Sequence, residues 1–60
     1  MFVKVKAFNL GAEEILINVN SINSIYKCSK GFEIFLNNET RYEISELDAE
    51  QIFHEINVRL

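Results

Sequence analysis

Proline and tryptophan are absent from the 60 residues, glycine occurs twice, and cysteine, methionine and histidine occur once each. With no proline-rich or low-complexity tract and 48% hydrophobic residues, the composition is that of a folded chain rather than a disordered one. The single cysteine, Cys28, excludes an internal disulfide and a cysteine-based zinc site. No apolar run approaches the roughly 20 residues that a membrane helix needs. Lys4 and Lys6 fall inside a strand-like alternation rather than ahead of an apolar stretch, so the start does not read as a signal peptide. These absences leave a single small domain over residues 1–60, expected to be soluble and cytoplasmic, in a bacterial or phage-infected cell.

Size sets the first physical problem. A chain this short buries only about 60% of its unfolded surface. Small domains usually add disulfides, metals or oligomerisation. The residues for the first two are missing, so self-association, as a homodimer or a larger oligomer, is the expectation.

What is present is mostly period-2 patterning. Val3, Val5 and Ala7 alternate with Phe2, Lys4, Lys6 and Phe8. Ile15, Ile17 and Val19 alternate with Leu16, Asn18 and Asn20, and Phe32, Ile34 and Leu36 share one side of a later segment. Strands are predicted at about 2–9, 14–20, 24–28, 32–37 and 40–45. Asn20-Ser21 reads as a turn, with Ile22 as its apolar anchor. Ser29-Lys30-Gly31 reads as a tight hairpin, and Asn37-Asn38 as a two-residue turn. At Ser45 the period changes: Leu47, Ile52, Phe53, Ile56 and Leu60 form one helical stripe over about 46–59. Ser45 is a natural N-cap, with Asp48 at near-capping-box spacing and Arg59 in the last turn. The predicted fold is α+β: a small antiparallel sheet of about five strands, curved or barrel-like, followed by one C-terminal amphipathic helix.

The chemistry-bearing residues are sparse. His54 stands four residues after Glu50 on one helix face, a fragment of a metal site that lacks its remaining ligands. Cys28 has no glycine-rich elbow beside it, and Gly11 and Gly31 are isolated turn glycines rather than a phosphate loop. No catalytic residue, metal or cofactor is therefore expected. Residues 1–30 carry a net +2 and residues 31–60 a net -5. Lys4, Lys6 and Lys27, with nearby aromatics, offer a small basic patch for RNA or DNA, against the acidity of the whole chain. Glu46, Asp48, Glu50 and Glu55 make an acidic face on the helix.

Apolar residues on the face opposite the core carry more information. If Val3, Val5, Ile15, Ile17, Val19, Ile34, Tyr42 and Ile44 face the helix, then Phe2, Phe8, Leu16, Tyr26 and Phe35 point away. Such a group either closes a barrel or forms a protein interface.

From Ile15 to Ile56 the chain resembles the small flagellar-operon proteins of the FlbD type. The likeness rests on Ile17-Asn18-Val19-Asn20, then Ile22 and Ile25, a hairpin from Phe32 to Tyr42, and the acidic helix start Ser45-Glu46-Leu47-Asp48. Asn37-Asn38-Glu39 replaces that family's glycine-lysine turn. The resemblance implies no catalytic residues. Length and element order also resemble the carbon storage regulator proteins, which are intertwined RNA-binding dimers, but their arginine-rich start is absent. The isoleucine, asparagine, lysine and glutamate content fits an AT-rich bacterial or phage genome. The expected function is a non-enzymatic, homodimeric protein-binding module. Its most concrete form is a phage or mobile-element accessory protein that inhibits a host protein, including a defence complex. A small nucleic-acid-binding regulator and a flagellar accessory protein are the alternatives.

Overall fold

In the computed structural model, which describes residues 1–56, the alternation of the sequence becomes an alternation of burial. Val3, Val5 and Ala7 of β1 (Phe2–Ala7) are buried, whereas Phe2, Lys4 and Lys6 are exposed. β2 (Glu13–Asn18) pairs antiparallel with β1, setting Val3 opposite Ile17 and Lys4 opposite Leu16. β3 (Ile22–Cys28), β4 (Gly31–Leu36) and β5 (Arg41–Ile44) form a second antiparallel sheet in that order. The helix α1 (Glu46–Ile56) follows. The expected order of five antiparallel strands and one helix is present, in an α+β domain.

The five strands divide between two sheets, and these do not close into a barrel. The reason is local. The chain leaves the extended conformation in 3-10 turns at Phe8–Leu10 and Val19–Ser21. The first takes Phe8 out of the strand, and Gly11 ends it in the left-handed region at φ 68°. The second is capped by the Asn18 side chain, which accepts from the Asn20 N–H at 3.0 Å. β3 then starts at Ile22, earlier than expected, with a bulge between Ile22 and Ser24. Neighbours in sequence, β2 and β3 are not paired.

The core lies between the sheets and the helix. Val3, Val5, Ile17 and Val19 meet Phe32, Ile34 and Ile44, with Ala49 and Ile52 closing from α1. Ile15 and Tyr42, expected inside, are partly buried and pack against this cluster. Phe32 and Phe53 meet edge to face, with centroids 5.2 Å apart. The Cα radius of gyration of 10.2 Å matches the roughly 10.4 Å expected for a folded chain of this length. One copy thus reaches ordinary compactness, and the case for association rests on its surface.

The helix corrects the predicted stripe. Ala49, Ile52 and Phe53 face the core at i, i+3 and i+4, but Leu47 is 74% exposed. Two residues turn a helix by about 200°, so Leu47 cannot share the face of Ala49. Ser45 does cap the helix, its Oγ accepting from the Asp48 N–H at 3.1 Å. The last predicted turn, with Arg59 and Leu60, lies outside the described residues.

The second hairpin also differs from expectation. Its turn uses three residues, because Glu39 donates its N–H to the Leu36 carbonyl and sits at φ 69°. The left-handed region costs an L-residue about 1–2 kcal/mol, which glycine escapes. Glycine gives back part of that gain through its freer unfolded chain. Glu39→Gly should therefore raise stability by about 0.5–1 kcal/mol, read as a higher urea midpoint with unchanged slope.

Candidate binding surface

The five apolar residues expected to form one patch are split between two places. Tyr26 and Phe35 lie on the outer face of the second sheet, edge to face with centroids 5.5 Å apart. Beside them Arg41 pairs with Glu33 and Glu43, which keeps that face largely polar. Phe2 and Leu16 lie on the outer face of the first sheet, at 64% and 66% exposure. Phe8 stands in the turn after β1 and is more shielded.

The first group continues through Leu47, the residue that the sequence pattern had assigned to the core. Leu16 and Phe2 line one groove together. Phe2 and Leu47 line a second, of about 730 Å³, between β1 and α1. Leu47 and Phe8 line a third, farther along the same strand. Leu16, Phe2, Leu47 and Phe8 thus line three neighbouring grooves around the β1 edge, with Lys4, Asp48 and Gln51 among the polar side chains between them. The signal for Leu47 was available: measured from the Ser45 cap, it falls off the helical face set by Ala49, Ile52 and Phe53.

The acidic residues do not act as one group either. Glu46 pairs with Lys27 at 2.9 Å. Asp48 turns inward to β1, where its Oδ2 accepts the Lys6 backbone N–H at 2.9 Å. Glu50 and Glu55 of the expected set flank the Phe2–Leu47 groove, beside His54. A carboxylate that accepts a backbone N–H contributes about 1.5–3 kcal/mol at most, less when exposed. Asp48→Ala should cost about 1–2 kcal/mol in urea unfolding, and Asp48→Asn, which keeps an acceptor, less than half of that.

The lysines are dispersed in the same way. Lys4 and Lys6 project from the outer face of the first sheet, with Glu14 directly opposite Lys6. Lys27 lies on the other sheet, over the Phe32 ring at 4.9 Å. The three do not share a surface. His54 and Glu50 line the β1–α1 groove, while Cys28 ends β3 opposite Gly31. Among the described residues no group of three or more His, Cys, Asp or Glu side chains is placed to hold a metal ion.

One device has no counterpart in the sequence reading. Asn9, in the turn after β1, donates Nδ2–H to the Arg41 carbonyl at 3.0 Å and accepts the Glu43 N–H on Oδ1 at 3.1 Å. Its amide pairs with the β5 edge as another strand would. No helix of the described residues is long and apolar enough to cross a membrane. Comparison with protein-family models, curated proteins and solved structures gives no match.

Proposed function

We propose that the chain is a non-enzymatic protein-binding module that acts by occupying an apolar surface of another polypeptide. The observation that carries this reading is the set of exposed apolar side chains, Leu16, Phe2, Leu47 and Phe8, that line neighbouring grooves around the β1 edge. Isolated exposed apolar residues are ordinary, whereas several gathered around one edge and bordered by charge mark an interaction site. Lys4, Glu50 and Glu55 supply that border. Charges so placed steer encounter and register more than they add affinity.

The composition supports a phage or mobile-element setting, in which such a module inhibits or modulates a host protein. The resemblance to flagellar-operon proteins is compatible with a non-enzymatic role. Affinity capture from a host lysate, with Leu47→Ser and Tyr26→Ser variants in parallel, tests the reading. A stoichiometric protein retained by the parent and by Tyr26→Ser, and lost with Leu47→Ser, is the expected result. Identical capture by all three would overturn it. So would retention of nucleic acid alone, released steeply by salt.

A further inference from the structure

An exposed sheet edge is a template for another strand, and folded proteins blunt such edges with caps, bulges or cover. Two of the four edges here carry a side-chain cap, and a third has a bulge at one end. The far edge of β1 is closed by Asp48 on the Lys6 N–H and flanked by α1. The far edge of β5 is closed by the Asn9 amide. β3 carries a bulge between Ile22 and Ser24 and pairs regularly with β4 from Ser24 to Cys28, where its outer side is lined by no side-chain cap among the described residues. The far edge of β2 has neither bulge nor proline, and among the described residues no side chain bonds to it.

The ladder fixes which groups that edge presents. Val19 donates its N–H to the Met1 carbonyl, and Lys6 turns its N–H away from β2. Bonded and non-bonded pairs alternate in an antiparallel ladder. Ile15 and Ile17 therefore bond to β1, and Glu14, Leu16 and Asn18 turn their N–H groups outward.

We infer that two copies of this chain associate through β2, antiparallel about a two-fold axis at Leu16, making one four-stranded sheet. The inference rests on the binding-module reading and adds to it a second copy of the chain at the β2 edge. Self-pairing is an isologous contact, so each residue must suit its own mirror partner. Centred on Leu16, the two Leu16 residues exchange both backbone bonds. Glu14 then falls opposite the partner's Asn18, and no acid faces an acid. Centred on Glu14, the two glutamates would oppose each other, which is destabilising. Centred on Ile17, the exposed leucines would part and each would face an asparagine. In the favoured register the two Leu16 side chains meet at the centre of the joined sheet, flanked by Lys4 of each copy, with Phe2 diagonal to Leu16 on the same face.

Sedimentation velocity across micromolar concentrations tests this on the intact chain. The parent should move from monomer to dimer mass as concentration rises. Leu16→Lys places two like charges at the axis on an exposed position, and should raise the dimer dissociation constant at least tenfold with an unchanged circular dichroism spectrum. Tyr26→Lys, on the other sheet, should leave the dissociation constant unchanged. In a Cys28→Ser background, Leu16→Cys should form an intermolecular disulfide on mild oxidation, since paired strands hold such positions within about 4.4–6.8 Å. Lys4→Cys in that background should remain free. A parent that stays monomeric, or a Leu16→Lys variant that dimerises as the parent does, overturns the β2 dimer. Capture of a host protein by the Leu47 surface would then still stand, so the two readings fail separately.

Discussion

Gly31→Ala is expected to remove at least about a third of the folding stability, and all of it at the lower end of the range for a domain this small. Gly31 opens β4 at φ +154°, a conformation that L-residues rarely adopt. A Cβ built there would stand 2.2 Å from the Ile44 carbonyl oxygen and 3.1 Å from two backbone atoms of Ser45. All three are main-chain atoms at the junction where β5 becomes α1, so no side chain can rotate away. Relief requires β4 to move from β5, which breaks the pairing of Phe32 with Ile44 at the centre of the core. The cost should be about 3 kcal/mol or more, from backbone strain and lost packing together. A domain of this length has roughly 3–9 kcal/mol in total. Gly11→Ala is the control: its φ of +68° carries the left-handed penalty, but nothing lies within 4 Å of the added carbon. It should cost only about 1–2 kcal/mol. Equal midpoints for the two variants would contradict the close approach at Gly31.

The second large effect is on the helix. Ile52 is fully buried and fits between the sheets and α1, while Leu47 on the same helix is the most exposed large apolar residue described. Ile52→Ala should cost about 3 kcal/mol, the sum of lost transfer energy and an unfilled cavity. Leu47→Ala should change stability by under about 0.5 kcal/mol, as surface substitutions do. Urea unfolding of both variants separates the helical face seen here from the stripe read off the sequence. If Leu47→Ala were the costlier change, the helix would be rotated from its described position.

The fold was legible where periodicity is strict. Val3, Val5, Ile17, Ile34 and Ile44 alternate with more exposed neighbours, and each is buried. Ser45 announced the helix start by its chemistry. What the pattern could not reveal depends on chain path. Two single 3-10 turns decide that β2 and β3 part company, and no periodicity encodes a break of three residues. Glu39 takes a conformation that glycine would normally signal, so the turn length was misjudged. For the surface, Phe2 and Leu16 were recognisable as outward-facing, but Tyr26 and Phe35 belong to another sheet. Asn9 and Asp48 were unreadable as edge caps because their partners lie 32 to 42 residues away.

Amide hydrogen exchange along β2 at rising protein concentration is the most direct measurement of how this chain associates. Ile15 and Ile17 bond to β1 and should be protected at every concentration. The N–H groups of Glu14, Leu16 and Asn18 should exchange fast when dilute and slow together as a second copy closes the edge. Rapid exchange at those three positions at all concentrations, beside steady protection of Ile15 and Ile17, would show that β2 remains open to water and that this edge is not where the chain meets a copy of itself.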